Sequence, residues 1–293
     1  MPLTLRRTSV SAIAGATSCP SRSATREGRA RWLADAKRRL EQRRAQEARP
    51  IAASRPARLR EAKRRLEEEH RVEVQANAEY EAYRARGVDK RGRKFGRPPT
   101  PFALPPAPEG KINTTDPDSR NVKTPRGWVQ GYNAQAVTTD GQIVIAAELT
   151  NSSADFGQLG PLVDAARSEL IAAGIEQTPD VVLADAGYWH QVQMQALAAD
   201  GITVLIPPDA NKRHGTRPGW NGGFYAFMRR VLATPAGAAL YRRRSGMIEP
   251  VFADTKIDRF LRRGRAACRS EWRLITATHN LRKLHQHRLA SAA

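Results

Sequence analysis

Residues 179–188, Pro-Asp-Val-Val-Leu-Ala-Asp-Ala-Gly-Tyr, constrain the fold of this chain more than any other stretch. Val181 to Ala184 form a purely apolar run between Pro179 and Gly187. A run this short and uniform suits a strand covered on both faces, which implies a sheet layered with helices. Asp185 closes the run. Ligands and catalytic groups collect at the carboxyl ends of strands in open α/β sheets, so this carboxylate is a candidate site residue. An Asp two residues before a Gly also serves as a turn former or helix cap, and the local sequence leaves both roles open.

The neighbouring segments extend the same pattern. Gln130–Thr139 and Gln142–Thr150 read as strands joined by Asp140-Gly141, a two-residue hairpin signal. A helix is expected over Ala154–Ala173, with Leu159, Leu162, Val163, Ala166 and Leu170 on one side and Gly174 at its end. A second helix is expected over Gln191–Ala199, then a strand Ile202–Ile206 stopped by Pro207-Pro208. Two antiparallel strands followed by helix, strand, helix, strand make an α/β layer with a mixed sheet. Residues 209–222 form a basic, Gly-rich loop, and the remainder reads as helical.

The formal charge of +20 is distributed unevenly. Residues 1–100 carry 26 Lys and Arg against 12 Asp and Glu, residues 101–228 carry 8 against 13, and residues 229–293 carry 15 against 4. A mildly acidic centre between two basic arms suits a polyanion such as nucleic acid, whose phosphates are neutralised with release of counterions. An arginine-rich composition with solvated helix faces gives the same totals. Cys19 and Cys268 are too few for a disulfide framework or zinc cluster, and no apolar run is long enough to span a membrane. A cytoplasmic setting follows.

Residues 1–25, rich in Ser, Thr, Ala and Arg, are expected to be disordered. Residues 31–41 and 57–67 are near-repeats, each placing Leu, Ala and Leu as a narrow apolar stripe on a charged helix. Pro50 and Pro56 separate them, so residues 26–86 read as a basic helical hairpin or coiled-coil region. Such an arm binds DNA or a partner, or is simply a solvated insertion. Residues 87–110 form a basic, Pro-rich linker with Lys90, Arg91, Arg93, Lys94 and Arg97. A folded domain is expected over 111–287, and 288–293 are a tail.

A second acidic position stands at Glu249, in Tyr241-Arg242-Arg243-Arg244-Ser245-Gly246-Met247-Ile248-Glu249-Pro250. Helical spacing would put Glu249, Phe252 and Lys256 along one face, with Pro250 in a first helical turn. A Glu at a helix start can also merely complement the helix dipole. His279, His285 and His287 have spacing compatible with metal binding, but a polar C-terminal helix explains them better.

Taken together, the chain resembles bacterial insertion-sequence transposases of the DDE type. The carrying residues are Asp185-Ala186-Gly187-Tyr188, the set Tyr241, Arg244, Glu249 and Lys256, and the stretches Asn113–Arg120, Gly131–Val137 and Glu271–Leu284. The resemblance implies an RNase H-like mixed sheet flanked by helices and preceded by the basic arm. It implies metal-dependent phosphodiester cleavage and strand transfer on double-stranded DNA, by a homodimer associated with the nucleoid. Asp185 and Glu249 would ligate Mg²⁺ or Mn²⁺, because hard cations prefer carboxylate oxygens and two metals can clamp attacking and leaving oxygens. Tyr241, Arg244, Lys256, Arg262 and Arg263 would hold DNA. Arg244 and Glu249 are separated by four residues where the family has three, with Ser245 at the usual Arg position.

The family also places a third carboxylate on the first strand of the sheet. Residues 1–110 offer no apolar run ending in Asp, so the sheet is expected to lack its first strand, as in an N-terminally truncated copy. Asp118 is the weak substitute, since Asp116-Pro117-Asp118-Ser119 is also a turn sequence. The alternative function is a DNA-binding remnant that does not cut.

Overall fold

A computed structural model describes residues 3–9, 26–46, 51–89, 92, 94–97, 101–103, 105, 107, 108, 110–124, 127–209, 222–257 and 259–292. The chain divides into an α/β unit (residues 1–17, 120–262 and 267–293) and a helical unit (18–119 and 263–266). Of the basic cluster in the linker, Lys90, Arg91 and Arg93 lie outside the described residues, as do most of the expected loop at 209–222 and Cys19.

The helical unit is an antiparallel pair, α1 (Arg26–Gln46) and α2 (Arg55–Ala85). Ser54 caps α2 by accepting from the Ala57 N–H, and Pro56 occupies the first turn, where a missing N–H costs nothing. The pairing is ionic along its length: Arg29 to Glu81, Lys37 to Glu73, and Arg44 to Glu68 and Glu69. Ala36, Leu40 and Ala62 of the expected stripes are buried, but Leu59 is 47% exposed. At the open end an aromatic group replaces the stripe, with Trp32 stacked on Tyr83 and edge-on to Tyr80. Asp116 and Asp118 belong to this unit and accept from the N–H groups of Gly264 and Arg265.

In the α/β unit, β2 (Arg120–Thr124), β3 (Gly127–Thr138) and β4 (Val144–Thr150) form an antiparallel meander. β1 (Leu3–Ser9) runs parallel to β3, with Thr4–Ser9 opposite Gly131–Ala136, and pairs on its other side with β7 (Arg259–Phe260). Residues 3–9 are thus a strand where disorder is expected from sequence, and the rest of 1–25 lies outside the described residues. Without β1, β3 would leave a row of unpaired peptide groups along one edge. The strand brings no acidic residue. A second, two-stranded sheet consists of β5 (Val181–Leu183) parallel to β6 (Thr203–Leu205).

Helices α3 (Leu159–Ala172), α4 (Gln191–Ala199), α5 (Gly223–Ala233), α6 (Pro235–Thr255) and α7 (Arg265–Ala292) complete the chain. Alternation along β3 supplies two cores. Tyr132, Ala134 and Ala136 pack with Phe252 and Trp272, while Val137 on the opposite face joins Val163, Val182, Leu197 and Ile206. The small side chains at 134 and 136 let Trp272 approach closely enough to donate from Nε1 to the Gln135 carbonyl at 3.0 Å.

Two local expectations change. The β3–β4 connection closes with Thr139 bonded to Ile143 and takes three residues rather than two, because Gln142 adopts φ 64°. Residues 151–158, expected in part as helix, form turns held by the Ser152 hydroxyl and by Asp155, so α3 begins at Leu159.

Candidate active site

Asp185 stands two residues beyond the end of β5, after Ala184, and opens a single 3₁₀ turn, Ala186–Tyr188. Its backbone carbonyl accepts from the Tyr188 N–H at 3.0 Å, and its side chain makes no capping bond. The carboxylate instead pairs with Arg244 at 2.9 Å. Of the two roles open from sequence, the side chain does not fill that of helix cap.

Tyr241 and Arg244 stand one turn apart on α6, so both face the end of β5. The Tyr241 hydroxyl donates to the Ala184 carbonyl at 3.3 Å, and the Arg244 guanidinium lies over the Tyr241 ring. Arg244 Nε is buried without a hydrogen-bond partner among the described residues. Burial raises the Asp185 pKa; Arg244 opposes that shift, and the charges of Asp155 and Glu249 add to it. Burial likewise raises Tyr241, with Asp185 contributing and Arg244 opposing. Three segments distant in sequence therefore converge: the β5 end, the loop at 155, and α6.

Glu249 lies inside α6 rather than at a helix start, because the helix runs on through Pro250 to Thr255. A proline cannot donate to the carbonyl four residues back, here that of Gly246. Gln142 Nε2 donates to that carbonyl at 2.8 Å, so its positive φ places a side chain that replaces the lost bond. Phe252 turns into the core while Glu249 is exposed, so the expected common face of Glu249 and Phe252 does not form. Lys256 ends α6 in the left-handed region at φ 43° and is exposed.

The remaining sequence-selected residues lie elsewhere. Arg262 is exposed, its backbone N–H held by Glu271. Arg263 is exposed and groups with the helical unit. Asp118 is committed within that unit to Arg65 at 2.6 Å and to the Arg265 N–H at 3.0 Å. His279 is buried in contact with the Gln142 carbonyl, whereas His285 and His287 are exposed on α7.

Asp155 was not singled out from sequence. Its only signal is an acidic residue just ahead of a helix, which ordinary helix-end electrostatics accounts for. It is 7% exposed, and its Oδ1 accepts from Asn133 Nδ2 at 2.8 Å and Gln135 Nε2 at 3.4 Å.

Among the described residues no group of three or more His, Cys, Asp or Glu is arranged to enclose a metal ion. Mg²⁺ needs no such cage, since it is commonly held by one or two carboxylates plus water and substrate phosphates. Asp185 and Glu249 are carboxylates reachable from solvent, which is the donor chemistry such a site uses. A family model described as "Transposase DDE domain" matches residues 99–281. No curated protein and no solved structure matches the chain.

Proposed function

From the premise that this chain belongs to the transposase DDE-domain family, and so has DNA as its substrate, we propose a metal-dependent phosphodiester site at Asp185 and Glu249. The observation that carries the reading is the meeting of Asp185 with Arg244, and of the β5 end with Tyr241, on the same helix that carries Glu249. A bound divalent cation would polarise the phosphoryl group and stabilise the attacking and leaving oxygens.

The side chains then divide the work. Asp185 and Glu249 supply hard oxygen ligands. Arg244 neutralises Asp185, and its planar guanidinium suits a phosphate oxygen once the carboxylate is engaged elsewhere. Tyr241 fixes the direction of this turn of α6 through the Ala184 carbonyl. Lys256, Arg262 and Arg263 are exposed cations available to backbone phosphates. The α/β unit is read as RNase H-like, with the β3–β4 hairpin, α3 and the parallel pair β5–β6 in the required order.

One observation favours a second reading, DNA binding without cleavage: β1 occupies the strand position beside β3 and carries no carboxylate. End-labelled duplex DNA from the boundaries of the genomic repeat that encodes the chain separates the two. Mn²⁺-dependent cleavage lost in Asp185→Asn supports the catalytic site. Salt-sensitive binding with no cleavage in Mg²⁺ or Mn²⁺ supports the second reading.

A further inference from the structure

Asp155 is a buried carboxylate that the proposed chemistry does not use. Burying a charge is costly unless it is well bonded, so its retention at 7% exposure calls for a reason. Its Oδ1 is held by Asn133 and Gln135, alternate residues on one face of β3. Both amides are buried, at 0% and 1% exposure. The side chain is therefore pinned to the most extensively paired strand of the sheet. Its other oxygen faces the turn that carries Asp185: a Cβ built on Gly187 would stand 3.0 Å from Asp155 Oδ2 and 3.5 Å from Asp155 Cβ.

Gly187 does not have positive φ, so backbone conformation does not demand glycine there. The demand is steric, and it comes from Asp155. The same packing supplies a physical reason for the Asp-x-Gly spacing: the residue two beyond Asp185 must let the turn settle onto the anchored carboxylate.

We propose that Asp155 is a positioning residue for Asp185, acting as a strut between β3 and the 185–188 turn and so fixing the Asp185 carboxylate relative to Glu249. This rests on the reading of Asp185 as a metal ligand. Asp155 need not touch the metal. It acts through van der Waals contact at Gly187 and through its two amide bonds to β3.

The test is a double-mutant cycle on the full chain, read by Mn²⁺ binding in electron paramagnetic resonance without DNA. Gly187→Ala is expected to weaken Mn²⁺ binding at least fivefold with the melting temperature nearly unchanged. In an Asp155→Ala background, where the obstructing carboxylate is gone, Gly187→Ala is expected to change the affinity less than twofold. Effects that multiply across the two sites, or an unchanged affinity in Gly187→Ala, overturn the proposal. Asp155→Ser, which retains a small acceptor for Asn133, replaces Asp155→Ala if the latter fails to fold.

A readout independent of metal separates this proposal from the functional reading. Amide hydrogen exchange at residues 186–189 is expected to speed at least tenfold in Asp155→Ala or Asp155→Ser, with exchange in α7 unaltered. Wild-type protein that binds no Mn²⁺ removes the metal reading, and the exchange result then decides the strut alone. Unaltered exchange at the turn overturns it.

Discussion

Arg244 and a divalent cation compete for the same carboxylate, which makes Arg244→Ala the most informative single change. The pair is 2.9 Å apart, with Arg244 20% and Asp185 45% exposed. Screening at the exposed partner keeps its worth near the upper end for surface pairs, about 1 kcal/mol. A metal ion binding Asp185 must displace that contact and meet the guanidinium's charge. Removing Arg244 is therefore expected to tighten Mn²⁺ binding about fivefold. Cleavage should move the opposite way. If Arg244 contributes a charged hydrogen bond to phosphate, of about 1.5–3 kcal/mol, its loss lowers the cleavage rate roughly ten- to hundredfold. Calorimetric Mn²⁺ titration and single-turnover cleavage of labelled duplex would be measured on the same preparation. Weaker or unchanged Mn²⁺ binding in Arg244→Ala would refute the competition, and with it the assignment of Asp185 as ligand.

Four further outcomes are expected. Burial raises the Asp185 pKa, so the folded chain holds that proton more tightly than the unfolded one, and ionisation costs stability as pH rises through the raised value. Asp185→Asn should therefore melt higher than wild type at pH 7, with the gap closing as the pH falls toward the ordinary value of 3.8. Arg44→Met removes the contacts that Arg44 makes with Glu41, Glu68 and Glu69 at 2.7–2.8 Å, and should destabilise the helical unit by about 3 kcal/mol in urea unfolding followed by helical circular dichroism. Gly237→Ala would put a Cβ 2.1 Å from the Val231 carbonyl oxygen, a backbone atom that cannot step aside, and should cost about 1–3 kcal/mol in thermal unfolding. The first turns of α2 expose Arg55, Arg60 and Lys63, whereas Glu68, Glu73 and Glu81 farther along it pair with α1. If this end contacts DNA, changing the three to Gln should reduce the salt slope of binding by about 1 per contact removed, and an unchanged slope excludes it.

What the sequence discloses about such a site depends on whether the signal is local. The β5 strand was legible because an apolar run bounded by Pro and Gly admits few alternatives, and the charge of Asp185 at its end needed no distant partner to be noticed. The β3–β4 hairpin was legible for the same reason, although Gln142 shifted its turn by one residue. β1 is not legible locally, because Arg6 and Arg7 lower its apparent strand character and only the edge of β3, more than a hundred residues away, supplies its pairing. Glu249 is legible as a candidate, but its place inside α6 is not. Pro250 is a strong stop signal locally, and the compensation for its missing N–H comes from Gln142, 104 residues before Gly246. Asp155 shows the limit most sharply. Its partners Asn133 and Gln135 precede it by 22 and 20 residues and the turn it supports follows it by about thirty, so nothing in its own neighbourhood distinguishes it from a helix-end acid. A buried carboxylate becomes visible as a site element only when the strand that pins it and the glycine that yields to it are seen together. The Asp185 motif and the residue that makes its glycine necessary are therefore one structural unit, read from two places in the chain.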